Sequence, residues 1–333
     1  MPVWAPVVFV LCAGVSIVAS HRLVRALEAL GIHFAVPEML LGLVAAVAAD
    51  GPELTSALAA QISGRHSVGA GVLFGSNVFN IAALLGLGAA VAGPVAFHRK
   101  AVVLEGAVAL AVAAGSVLMV TGWLPVGAAA GLGLVAVVPY LVVATLPSRM
   151  WPFPRRARGW LSEAVKQEAQ DLVGGYPSDA PSAPRREALI AAVAMLLVIG
   201  ASVAMEESAT VAGQALGWSP VIVGAVVLAA VTSLPNVVAA LYLARAGRGA
   251  AMLSEAMNSN TMNVLGGLFV PVLIGAPVLR GLGAGPTLTA ASYLGLSALA
   301  LAIAFTCRGM ARWAGGALVL LYAAFLAALF ATV

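Results

Sequence analysis

Charge is what this chain has least of. Asp, Glu, Lys and Arg together make up 9% of its 333 residues, against roughly 25% in a typical soluble domain. Cysteine is nearly absent: Cys12 and Cys307 are isolated thiols in apolar stretches, which leaves no disulfide framework and no metal-ligand pattern. No span pairs a nucleophile with a base or gathers a histidine cluster, which speaks against a hydrolytic or redox enzyme. Basic residues outnumber acidic ones, for a formal net charge of +4. They are spread through short loops without interleaved aromatics, so nucleic acid is not an expected partner.

What fills the chain instead is hydrophobic residues, 62% of the total. Apolar stretches of about 20 residues, the length that crosses a bilayer, recur from end to end. The expected fold class is therefore an all-α integral membrane protein, with the lipid bilayer as its first partner. Ten spans are expected, near residues 3–20, 36–62, 67–92, 101–121, 125–146, 187–213, 219–244, 250–275, 286–306 and 312–332. The first reads as a retained span rather than a cleaved leader, because its positive charges, Arg22 and Arg25, follow the apolar stretch. A polar segment at 147–186 divides two five-span halves, 1–146 and 187–333; it suits either a short amphipathic helix around Leu161–Leu172 or a flexible linker.

With alternating loops, all the Lys and Arg residues but Arg65 and Arg280 fall on one side of the membrane. The positive-inside rule makes that side cytoplasmic and puts both termini outside it, in a plasma (inner) membrane. An odd number of spans per half inserts the two halves in opposite directions.

The halves carry a repeat. Residues 52–80 match 235–263 at one constant offset (235 − 52 = 183), pairing Pro52 with Pro235, Gly64-Arg65 with Gly247-Arg248, Ser76-Asn77 with Ser259-Asn260, and Asn80 with Asn263. The repeats cover about 42–86 and 225–269. Duplicated hydrophobic segments interrupted by proline and polar groups mark the binding site of a secondary transporter.

In the first repeat, Asp50-Gly51-Pro52-Glu53 lies inside the second span. Pro52 donates no backbone hydrogen bond and Gly51 loosens the turn, so the helix is expected to break there. Freed carbonyls beside two carboxylates are ligands for a hard cation such as Ca²⁺ or Na⁺. The second repeat offers Thr232 and Ser233 hydroxyls before Pro235, with Asn236 in the place of Glu53. Ser76 and Asn80, like Ser259 and Asn263, are four apart and share a helix face. Glu53 and Asn236 are expected to face each other near mid-membrane. Glu255, one turn before Ser259, either joins the site or caps its helix near Arg248. Glu206-Glu207 are expected at the outer boundary, drawing cations to an entrance.

These motifs resemble the alpha-repeats of the sodium/calcium exchanger family, within the calcium/cation antiporter superfamily: G-T-S-x-P-E, then G-S-N-x-x-N or a variant ending in Asp. The resemblance implies ten spans in two inverted repeats with broken central helices. It implies Glu53 as a calcium-ligating glutamate, Asn80 as its neighbouring ligand, and Thr232, Ser233, Ser76 and Ser259 as hydroxyls lining the ion sites; Asp50, Asn77, Asn236, Asn263 and Glu255 complete the candidate set. The chain departs from the pattern where the family carries acids in the second repeat, at Asn236 and often at Asn263, and in having Ala49-Asp50 for Thr-Ser. The function implied is Ca²⁺ antiport against Na⁺ or H⁺, with no resident cofactor. Alternatives are a Na⁺/H⁺ or other cation exchanger on the same fold, or a transport-inactive scaffold or sensor.

Overall fold

An apolar chain in hydrocarbon has no water for its peptide groups, so each span must close its hydrogen bonds internally. The computed structural model describes residues 4–34, 47–146, 148–172, 183–245, 247–273 and 283–333, and these are almost entirely helical. Helix α1 is Trp4–His33, α2 Gly51–Ile62, α3 His66–Ala92, α4 Arg99–Val120, α5 Val126–Thr145 and α6 Arg155–Leu172. Then come α7 Pro184–Ala215, α8 Pro220–Thr232, α9 Leu234–Arg245, α10 at 249–273, α11 Ala284–Cys307 and α12 Arg312–Thr332. Among the described residues seven helices are long and apolar enough to cross a membrane, or eight if α8 and α9 count as one bent span. The start of the second expected span (36–46), the end of the eighth (274–275), linker residues 173–182 and Arg280 lie outside the described residues.

Burial separates two kinds of helix. In α3, 94% of the best apolar window is buried, against 28% in α1 and 28% in α12. α3 is therefore the central helix, and the exposed Val and Leu side chains of α1, α7 and α12 form lipid-facing surface. α1 runs on to His33 rather than ending near residue 20. Arg22 and Arg25 do not stop it, because the next turn buries Leu23 and Ala26 against Ala191 and Ala194 of α7, while long basic side chains reach out of the apolar layer. The linker holds a longer helix than Leu161–Leu172, and α6 is tied to α4 by a Lys100–Glu163 ion pair.

Both central breaks form where the prolines lie. Residues 47–49 are helical, Asp50 is a turn, and α2 begins at Gly51 with Pro52 in its first turn. At the same offset (50 + 183 = 233), Ser233 separates α8 from α9, which meet at a bend of 48°. Proline cannot extend the preceding hydrogen-bond ladder and fits the first turn of a new helix. Gly64 and Gly247, mates in the repeat, have φ of 75° and 72°, a region that favours glycine. Each turns the chain into the next helix.

Wide, π-helical turns interrupt α3 at Ile81–Leu87, α8 at Val223–Leu228 and α10 at Leu265–Phe269. Such turns recur at functional sites. The side-chain amide of Gln61 donates to the carbonyl of Gly267 within the last of them at 2.8 Å.

The α3 and α8 backbones touch through small residues. A Cβ added at Gly75 would lie 2.4 Å from Ala225 Cα, and one at Gly224 would lie 2.3 Å from the Val68 carbonyl oxygen. Small residues allow this approach where lipid offers no hydrophobic drive between helices. Gly75→Ala is therefore expected to cost about 2 kcal/mol or more by overpacking, read as a lower unfolding temperature in detergent. Gly200→Ala, where an added Cβ meets nothing within 4 Å, should leave that temperature unchanged.

Candidate cation site

The two breaks and the middles of α3 and α10 bring nine of the expected residues into one buried polar layer. Asp50, Glu53, Ser76, Asn77, Asn80, Ser233, Asn236, Ser259 and Asn263 each have 0% exposure. Glu53 lies in the first turn of α2, where the helix dipole favours a carboxylate.

Their hydrogen bonds come in pairs related by the repeat offset. Ser233 Oγ donates to Glu53 Oε1, and Asn236 Nδ2 donates to Asp50 Oδ1 at 2.8 Å. Asn77 Nδ2 donates to the Asn260 carbonyl at 3.2 Å, and Asn260 Nδ2 returns a bond to the Asn77 carbonyl at 3.1 Å. Asn80 Nδ2 donates to Asn260 Oδ1 and Asn263 Nδ2 to Asn77 Oδ1, both at 3.1 Å. Exchanging each residue for its mate converts one member of a pair into the other. Glu53 and Asn236 thus meet the opposite break through Ser233 and Asp50.

The pairing fails where the acids sit on one side only. Ser259 Oγ donates to Asp50 Oδ1 at 2.6 Å and accepts from Asn80 Nδ2 and Asn236 Nδ2, both at 3.1 Å. Asn263 Nδ2 also donates to Glu53 Oε2. Ser76, the mate of Ser259, has no partner for its hydroxyl among the described residues.

Every amide nitrogen in this layer is spent inward, and oxygens are left over. Asp50 Oδ2, Ser76 Oγ, Asn80 Oδ1, Asn236 Oδ1 and Asn263 Oδ1 are buried without a hydrogen-bond partner. Each such atom costs about 1–3 kcal/mol. An uncompensated buried carboxylate costs more. Carboxylate, amide and hydroxyl oxygens are the ligand set of a hard cation. No group of three His, Cys, Asp or Glu suited to a metal occurs among the described residues; the donor set is mixed oxygen.

Two expectations differ in detail. Thr232 is buried, but its hydroxyl donates back to Leu228 O at 2.9 Å and Ala229 O at 3.4 Å, the usual route for a threonine inside a helix. Glu255 is half-buried on α10, one turn before Ser259. Glu206 is not an open cation attractor: it is fully buried, paired through both oxygens with Arg65 Nε (2.9 Å) and Nη2 (2.5 Å), and accepts from Thr210. Asn260 was missed as a site residue. Its position as the mate of Asn77 was the signal.

A family model described as "Sodium/calcium exchanger protein" matches residues 4–148 and 187–331. The inner membrane protein YrbG of Escherichia coli (strain K12) is 26% identical over 261 residues, 77% of this chain and 75% of that protein. Two other curated relatives align over shorter stretches, 29% and 37% of their own length. Among solved structures, the H⁺/Ca²⁺ exchanger CAX is similar with a TM-score of 0.69 and 14% identity, over 97% of this chain and 82% of that one. The sodium-calcium exchanger NCX_Mj is similar with a TM-score of 0.58 and 20% identity, over 98% and 99%. At these identities the likeness is one of fold.

Proposed function

This chain belongs to the sodium/calcium exchanger protein family, and we propose that it works as a secondary antiporter moving Ca²⁺ against Na⁺ or H⁺ by alternating access. The observation that carries this reading is the set of five partnerless buried oxygens in one layer with Asp50 and Glu53. A cation relieves both the unmet hydrogen-bonding capacity and the negative charge. Asp50, Glu53, Asn80, Asn236, Asn263 and Ser76 are its proposed ligands. Asn77, Asn260, Ser233 and Ser259 orient them, and Thr232 and Glu255 form the margin.

The proposed architecture is ten spans in two inverted five-span halves, 1–146 and 187–333, joined by a cytoplasmic linker at 147–186. The offset-related hydrogen bonds support it, since they are what a two-fold axis through the site produces. YrbG's description as an inner membrane protein supports the same location for this chain, and the distribution of basic residues supports termini outside the cytoplasm. The mechanism is competition: one divalent ion and several monovalent ones claim the same oxygens, and an ion-free site, with its carboxylates unbalanced, does not reorient.

The test is ⁴⁵Ca²⁺ uptake into proteoliposomes under an outward Na⁺ gradient and, separately, a pH gradient. Uptake driven by one of them is expected. Its absence under both, together with Na⁺ movement driven by pH, favours the Na⁺/H⁺ alternative; no ion movement at all leaves the scaffold reading.

A further inference from the structure

Pro271 lies buried near the end of α10, four residues after Gly267. Proline has no N–H, so this turn of α10 is one backbone donor short. A carbonyl freed in this way inside a membrane is satisfied from a neighbouring helix. Here the donor is the side-chain amide of Gln61, in the last turn of α2, which reaches the Gly267 carbonyl at 2.8 Å. The first repeat has neither member of this pair. Gly88 stands at the rank of Pro271, and Ala244 in the second repeat stands at the rank of Gln61 (88 + 183 = 271; 61 + 183 = 244). Gly88 keeps its N–H, which donates within α3 to the Ala83 carbonyl. The missing donor and the added one are thus matched. Packing alone does not account for Gln61. It is 2% exposed and its Oε1 has no partner among the described residues, a cost that an apolar side chain would avoid.

We infer that Gln61 is a positioning residue for the cation site, acting through α10 on Asn263. The inference rests on the antiport reading above. α2 holds α10 at two points. Glu53, in its first turn, accepts from Asn263 Nδ2, and Gln61, in its last, donates to Gly267, one turn beyond Asn263. Between these points a Cβ added at Gly266 would lie 3.2 Å from Leu54 Cδ2, so α2 is seated directly on the α10 backbone. Asn263 Oδ1, a proposed ligand without a hydrogen-bond partner, is aimed by a bond that touches no ion. Removing the Gln61 amide leaves the Gly267 carbonyl unmet, and α10 has to shift toward another donor, taking Asn263 with it.

The experiment is ⁴⁵Ca²⁺ uptake by the full chain in proteoliposomes, under whichever of the Na⁺ and pH gradients drives the wild type. Half-saturating Ca²⁺ concentration and maximal rate are read separately, beside unfolding temperature in detergent. Gln61→Ala should raise the half-saturating concentration about tenfold, the scale of one hydrogen bond. Pro271→Ala returns an N–H to α10, so adding Gln61→Ala on that background should change the half-saturating concentration by less than about threefold. A purely structural Gln61 would lower the unfolding temperature and the maximal rate and leave half-saturation where it was, which overturns the inference. An equal penalty on both backgrounds overturns it too. If Gln61→Ala alone does not fold, the double variant decides: it should fold and take up Ca²⁺ as Pro271→Ala does, and its failure to do so sinks the inference. A wild type that takes up no Ca²⁺ under either gradient removes the antiport reading and the inference with it. Wild-type half-saturation in Gln61→Ala, beside a wild type that transports, removes the inference alone.

Discussion

Glu53→Gln is expected to abolish ion-driven exchange in a protein that still folds. Glutamine has the shape of glutamate and can turn its oxygen toward Asn263 Nδ2, while the Ser233 hydroxyl, which now donates to Glu53, rotates to accept from the new amide. The local network thus survives. What disappears is one of the two carboxyl groups in the buried layer, and with it the charge it can set against a bound cation. A unit charge pair at about 4 Å is worth roughly 4 kcal/mol at an effective dielectric near 20, so affinity for a divalent ion should fall by at least about 100-fold. The desolvation cost of the carboxylate is relieved at the same time, and unfolding temperature without added ions should hold or rise. Transport in proteoliposomes, with ⁴⁵Ca²⁺ binding to detergent-solubilised protein, measures both parts. Wild-type transport by this variant would show that Asp50 or Glu255 carries the charge of the site.

The repeat made much of this layer legible from sequence. A gapless offset with proline, glycine and asparagine at fixed ranks requires two equivalent backbone paths, and the helix breaks at Asp50 and Ser233, the paired turns at Gly64 and Gly247 and the reciprocal Asn77–Asn260 bonds all keep that offset. Other features have no such signature. The π-helical turns depend on how α3, α8 and α10 pack rather than on any residue pattern. Thr232 and Ser233 are adjacent hydroxyls of equal chemistry, yet one lies in the last turn of α8 and bonds within it, while the other occupies the break and reaches Glu53. Only the exact residue at which the helix stops separates them. Arg22 and Arg25 suggested a membrane boundary that ends a helix, but a small core between α1 and α7 carries the helix past it. Glu206 shows the same limit: an acid late in a span is alike in sequence whether it faces water or an arginine from another hairpin.

Asn236 stands at the rank that Glu53 holds in the other repeat, and Asn236→Glu should change how the ions are coupled. Asn236 now donates to Asp50 Oδ1 and Ser259 Oγ, and its own Oδ1 has no partner. A glutamate there replaces the donor facing Asp50 with an acceptor and brings a third negative charge, at the rank that Glu53 holds in the other repeat. Without ions the variant should unfold at a lower temperature than the wild type, because like charges then share a buried layer. Added Ca²⁺ should restore more stability than it gives the wild type, since a ligand stabilises the state that binds it more tightly. A third carboxylate also gives a third monovalent ion a charge to sit against. Transport should therefore depend more steeply on Na⁺, and Ca²⁺ accumulation should follow the membrane potential more steeply than in the wild type. The measurements are ⁴⁵Ca²⁺ uptake under separate Na⁺ and pH gradients at clamped potentials, beside thermal unfolding with and without Ca²⁺. An unaltered ion preference and an unaltered potential response, in a variant that folds and transports, would mean that charge at this rank does not set the coupling. The asymmetry between the two breaks would then serve packing rather than ion choice.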